Sequence, residues 1–157
     1  MQKFWDGKIG SQSYSVVWNK HFKYQNTQID TPEDLIALFE KDSAEAVFFA
    51  DWFSDSLQIE VKTSGSTGKP KTIVLKKEAM VASAKATGDF FKLGKDSLVY
   101  NPLPVKYIAG KMMWVRAFVL GWNMHTEVEA RSYDFTAMVP LKVYKSEEEF
   151  LKLKIIM

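Results

Sequence analysis

Apolar and polar positions along the chain fall into short runs whose period changes from segment to segment. Over residues 1–30 the aromatics Phe4, Trp5, Tyr14, Trp18, Phe22 and Tyr24 dominate, and weak alternation around Tyr14 to Trp18 predicts short strands. Thr31 is a capping residue, Pro32 fits a first helical turn, and Glu33 and Asp34 suit its positive end. With Leu35, Ile36, Leu38 and Phe39 as an apolar face, a helix is expected to about Lys41. A second is expected from Ala44 to Phe53, with Val47, Phe48, Asp51 and Trp52 near one face. Ile59 and Val61 then alternate with Glu60 and Lys62, which reads as a strand.

Downstream, Thr72-Ile73-Val74-Leu75 is β-branched and strand-like. Lys76 to Phe91 reads as a helix whose core face carries Met80, Ala84, Thr87, Phe90 and Phe91, with Gly94 placed to end it. Ser97 to Tyr100 reads as a strand, and two prolines force an extended exit through Asn101-Pro102-Leu103-Pro104. An apolar helix is expected from about Lys111 to Leu120. Phe150 to Met157 reads as the beginning of a strand.

Composition narrows the class. At 157 residues, 46% hydrophobic and 25% charged, the chain is long and apolar enough for a real core. Its 21 Lys and Arg nearly balance 19 Asp and Glu, so neither nucleic acid nor an anionic membrane is expected as main partner. The absence of cysteine removes disulfides, thiolate catalysis and sulfur-ligated metal. His21 and His125 lack companions at ligand spacing, so no metal site is expected. Met1 to Gly10 holds no apolar signal core, and no run approaches the roughly 20 apolar residues needed to cross a bilayer, so cytoplasm is the expected compartment. Without repeats or a linker, one α/β domain, or one piece of one, is expected.

Chemistry concentrates between the strand at Ile59–Val61 and the strand at Thr72–Leu75. Thr63-Ser64-Gly65-Ser66-Thr67-Gly68-Lys69-Pro70-Lys71 places two glycines, several hydroxyls and two lysines in one loop. Glycines bring backbone N–H groups close to an anion, hydroxyls add adaptable donors, and lysines supply charge. Phosphate is the natural guest. A Walker A loop is excluded, because Lys69 is followed by Pro70 and then by a strand rather than a helix. The loop is therefore expected to join two strands as a hairpin. A Ser/Gly-rich surface turn with solvated lysines is the alternative that composition leaves open.

Lys62 to Lys71, read K-T-S-G-S-T-G-K-P-K, resembles the signature of the adenylate-forming superfamily of acyl-CoA synthetases, luciferases and peptide-synthetase adenylation domains. Leu103 to Gly110, L-P-V-K-Y-I-A-G, resembles a second signature of that superfamily, with Tyr107 where many relatives carry histidine. Together with Lys111 to Gly121 and Phe135 to Pro140, it looks most like the o-succinylbenzoate:CoA ligases of menaquinone biosynthesis.

The resemblance implies a partial N-terminal AMP-binding domain over 1–157, a mixed sheet with flanking helices. It implies ATP and CoA as co-substrates, Mg2+ as cofactor, and a small carboxylic acid, o-succinylbenzoate by the nearest resemblance, as acceptor. Ser64, Gly65, Ser66, Thr67, Gly68 and Lys69 are the implied phosphate contacts, with Lys69 catalytic and Lys71 a solvated neighbour. Tyr107 and Arg116 are candidate substrate contacts; for each, a structural role is the alternative: a core or loop aromatic for Tyr107, a salt-bridged or exposed cation for Arg116. The resemblance stops before the superfamily's adenine strand, magnesium-binding segment, hinge and small C-terminal domain. A truncated ligase, inactive alone unless joined by a separately encoded remainder, is thus expected. A non-catalytic nucleotide-binding module and a structural interaction protein are the other readings.

Overall fold

The computed structural model describes residues 18–63, 69–129 and 132–138. The alternation around Tyr14 to Trp18 and the strand expected at Phe150 to Met157 lie outside these, apart from Trp18. The elements run β1 (Lys23–Tyr24), β2 (Thr27–Gln28), α1 (Pro32–Ile36), α2 (Ala44–Trp52), β3 (Gln58–Lys62), β4 (Thr72–Lys76), α3 (Lys77–Phe91), β5 (Leu98–Tyr100), α4 (Ile108–Leu120), β6 (Asn123–His125) and β7 (Phe135–Thr136).

Five strands form one sheet in the order β2-β1-β6-β5-β7. β1, β6, β5 and β7 pair in parallel, and β2 returns antiparallel to β1, so the sheet is mixed. The β1–β2 turn places Gln25 and Asn26 at φ 47° and 65°, the doubly left-handed geometry that suits a two-residue hairpin. β3 and β4 form a separate antiparallel pair.

Thr31 and Asp34 form the reciprocal cap at the start of α1. The helix stops at Ile36, short of the expected Lys41. Leu38 and Phe39 instead make tighter bonds to the carbonyls of Leu35 and Ile36. That tightening turns Leu38 to solvent and seats Phe39 against Tyr24, Phe49 and Trp114.

Ser43 caps α2 through the Ala46 amide at 3.1 Å. Its buried face is Ala46, Phe48, Phe49 and Trp52, not the face expected through Val47, which is 59% exposed. Two adjacent phenylalanines share the inner arc at 100° per residue, and that arc leaves Val47 outside.

In α3 the buried stripe is Lys77, Met80, Ala84 and Gly88. Phe90 and Phe91, expected in the core, are 78% and 48% exposed. The contact with α4 is made where α3 has no side chain, since a Cβ on Gly88 would lie 2.7 Å from Leu120 Cδ2. The phenylalanines fall off that line at the helix end. Lys92 at φ 57°, rather than Gly94, takes the left-handed capping position. α4 begins three residues before the expected Lys111, with Tyr107 as N-cap, and Gly121 ends it at φ 72°.

An aromatic core joins these layers. Phe118 of α4 touches Trp18, Phe22, Phe49, Phe53 and Trp114, all within 6 Å between ring centroids. Such buried rings are of the kind whose truncation to alanine costs roughly 3–5 kcal/mol. This core fixes α2 and α4, and on them rests the β3–β4 hairpin.

Candidate phosphate site

The hairpin is built in full register, from Gln58 opposite Lys76 to Lys62 opposite Thr72. On β3, Ile59 and Val61 point into the core while Gln58, Glu60 and Lys62 point out, the alternation that a half-buried strand requires. One step beyond, the Thr63 amide donates to Lys71 O at 3.0 Å, and the Lys71 amide donates to Thr63 Oγ1 at 3.3 Å. Thr63 and Lys71 therefore close the mouth of the loop. Strands do flank it on both sides, as expected. Ser64, Gly65, Ser66, Thr67 and Gly68 lie outside the described residues. Lys69 and Lys71, on the returning limb, are exposed.

A second segment meets the hairpin there. Lys62 forms a parallel β-bridge with Tyr107, so the chain from Leu103 to Gly110 runs beside the end of β3. Tyr107 adopts φ −107° and ψ 156° as the α4 N-cap, half-buried, with Lys106 Nζ 5.0 Å above its ring. The turn is held by Tyr107 N donating to Pro104 O at 3.2 Å. Gly110 is dictated by the same turn, because a Cβ there would sit 2.2 Å from Pro104 O. The end of β3 and the Leu103–Gly110 segment, separate in sequence, thus lie side by side, and Lys62, Lys69, Lys71 and Lys106 are exposed.

Arg116 is not part of this edge. It lies nine residues after Tyr107, about 13 Å further along α4 at 1.5 Å per residue. Its Nε donates to Thr87 Oγ1 of α3 at 3.1 Å, and its Nη1 lies 3.8 Å from Met113 Sδ. It is neither exposed nor in an ion pair among the described residues, contrary to the alternative expected for a lone arginine. Burial depresses its pKa from the ordinary arginine value.

Three buried polar groups have structural roles that the sequence does not signal. Lys77 is buried, with Nζ donating to Asp51 O at 2.7 Å, Ser54 O at 3.1 Å and Ser54 Oγ at 3.3 Å. Burial lowers its pKa, against the opposing pull of Asp51 and Asp55. His125, fully buried, places Nδ1 3.1 Å from Tyr133 Oη and Nε2 3.1 Å from Asn26 Oδ1, tying the β1–β2 turn to β6. Asn101, at the carboxyl end of β5, accepts from the Leu103 amide, while its buried Nδ2 has no hydrogen-bond partner among the described residues. A lysine in a first helical turn and an isolated histidine carry no sequence signal of such roles.

Among the described residues no group of three or more His, Asp or Glu is placed to hold a metal ion, and no helix is long and apolar enough to cross a membrane. No family model and no curated protein sequence matches the chain. Among solved structures, it is similar to an acyl-CoA synthetase (AMP-forming)/AMP-acid ligase II-like protein from Dyadobacter fermentans, at 32% identity and TM-score 0.62, over 78% of this chain. The chain spans 39% of that protein's length. An arginine-to-lysine variant of E. coli MenE with bound OSB-AMS is also similar, at 15% identity and TM-score 0.47, over 93% of this chain and 27% of that one. The mixed sheet with its flanking helices is the fold of part of an adenylate-forming domain.

Proposed function

We propose that this chain is the phosphate-gripping part of an ATP-dependent acid:CoA ligase. The observation that supports the reading is the Lys62–Tyr107 bridge, which brings the end of β3, where the loop begins, beside the Leu103–Gly110 segment. The likeness to an AMP-forming synthetase supports it.

The reaction has two steps. A carboxylate oxygen attacks the α-phosphorus of ATP, the bond to the β-phosphate oxygen breaks, and pyrophosphate leaves. The thiol sulfur of CoA then attacks the acyl carbon, AMP leaves, and a thioester remains. In the first step negative charge moves onto the leaving pyrophosphate. Backbone N–H groups of Gly65 and Gly68, hydroxyls of Ser64, Ser66 and Thr67, and the Lys69 ammonium are the groups proposed to receive it. Magnesium, when bound to the nucleotide, would neutralise phosphate oxygens. The described residues offer it no carboxylate set, so no step is assigned to it.

The acid is proposed to be o-succinylbenzoate. Arg116 is proposed to meet one of its carboxylates, since no carboxylate among the described residues neutralises the guanidinium and Thr87 orients it. Tyr107 is proposed to line the path of the acyl group. Turnover is proposed to need the parts that the longer synthetase carries beyond the matched 39%.

Pyrophosphate release by the purified 157-residue chain, with ATP, o-succinylbenzoate and CoA, tests this. Saturable ATP binding without appreciable turnover is expected. Brisk turnover would refute the need for further parts, and no ATP binding would refute the nucleotide reading.

A further inference from the structure

The β3–β4 hairpin is a lever. Five residues at about 3.3 Å each put its mouth roughly 16 Å from its root, so a 10° tilt at the root moves the mouth by about 3 Å. β3 seats Ile59 and Val61 fully in the core, whereas β4 packs only the half-buried Leu75 against it and leaves Ile73 and Val74 39% and 55% exposed. The direction of β4 therefore depends on its pairing with β3, on Leu75 and on what holds its root.

At that root stands Lys77, the first residue after β4. Its amide donates to Leu57 O at 2.9 Å, joining the two limbs where they leave the hairpin. Its ammonium reaches back to the last turn of α2, where Asp51 O, Ser54 O and Ser54 Oγ surround it. Asp51 O already accepts from the Ser54 amide at 3.3 Å and from Ser54 Oγ at 2.7 Å, so the ammonium adds a charged donor to a bonded turn, at the end of the dipole that favours a cation. An apolar side chain at this place would remove all three of the contacts that tie the root of the hairpin to this turn. Lys111 of α4 lays its Nζ 4.4 Å over the Phe48 ring of the same helix. α2 is thus contacted at its end by the residue that follows the hairpin and at its middle by the residue that follows Gly110.

We propose that Lys77 is a positioning residue for the hairpin mouth: its grip on the end of α2 fixes the direction in which the hairpin presents the Thr63–Lys71 pair. The proposal rests on the nucleotide reading for its functional consequence, and on geometry alone for the positioning itself.

Hydrogen exchange and calorimetry on the whole chain separate the two. In Lys77→Met, the amides of Thr63 and Lys71 are expected to exchange at least tenfold faster, while those of Val99 and Met124 in the parallel sheet change less than twofold. The ATP dissociation constant is expected to rise about tenfold, and Lys77→Arg to restore most of both effects. If Lys77→Met does not fold, Lys77→Gln, which keeps a donor without the charge, carries the same comparison. Unchanged exchange at Thr63 and Lys71, or equal acceleration in both sheets, would overturn the positioning role. Absence of ATP binding in the unaltered chain would overturn the nucleotide reading, and the exchange comparison would still decide the role of Lys77.

Discussion

Lys62 and Tyr107 stand side by side in a parallel β-bridge, and through that pair the end of β3 gains a neighbour on the edge that β4 does not occupy. A two-stranded hairpin alone is marginal in water. The bridge, the buried Ile59 and Val61 and the Lys77 root give it the support it needs to hold a loop in one direction.

The two lysines of the loop are not equivalent. Lys69 follows the second glycine directly, whereas Lys71 already belongs to the closing pair with Thr63. A charge-assisted hydrogen bond contributes roughly 1.5–3 kcal/mol, or about ten- to a hundredfold in affinity. Lys69→Ala is therefore expected to weaken ATP binding by at least tenfold and Lys71→Ala by less than about threefold. Equal losses in calorimetry would contradict the assignment.

Gly110 is held by sterics. Alanine in a helix is favoured over glycine by about 1 kcal/mol. Forcing a methyl group to within 2.2 Å of the Pro104 carbonyl oxygen belongs to the overpacking changes that cost up to about 3 kcal/mol. The clash wins, and Gly110→Ala is expected to lose about 2 kcal/mol in urea unfolding. Gly94→Ala, where nothing lies within 4 Å, is the control and is expected to change stability little.

How much of this was legible in the chain itself divides along physical lines. Elements with local signals were readable: the Thr31 cap, the β-branched run of β4 and the two proline exits state their structure within a few residues. The hairpin around the loop was readable for the same reason. The faces of α2 and α3 were misjudged at Val47, Phe90 and Phe91, because which apolar side chain is buried depends on where Phe118 and Leu120 of α4 approach. Lys77 and His125 were invisible, since their partners lie far away in sequence and no periodicity encodes them. The meeting of Lys62 with Tyr107 was implied by neither segment alone.

Arg116 tests the acyl side. Its Nε is committed to Thr87, so a carboxylate is expected at the remaining guanidinium nitrogens. Arg116→Met is expected to abolish o-succinylbenzoate binding, measured by calorimetry in the presence of ATP. ATP binding is expected to hold within about twofold, since the arginine stands about 13 Å along α4 from the hairpin. A parallel loss of both ligands would contradict the separation.

Lys77 carries a pH signature of definite sign. Burial lowers its pKa in the folded chain below the ordinary lysine value. Between those two values the unfolded chain binds more protons, so stability rises with pH in that window. The unaltered chain is therefore expected to gain on Lys77→Met as pH climbs through the folded value of Lys77 toward the ordinary lysine range. Below that window the difference is flat. Denaturant titrations of both chains from pH 7 to about 10.5 check the sign, and a difference that shrinks with rising alkalinity would contradict it.

The central claim is that the loop between β3 and β4 holds the terminal phosphates of a nucleotide, and replacing both glycines tests it most directly. Titration of ATP into the unaltered chain and into Gly65→Val/Gly68→Val is expected to give saturable binding in the first and at least a hundredfold loss in the second, with both chains equally folded by circular dichroism. Undiminished ATP binding by the folded double variant would contradict the account.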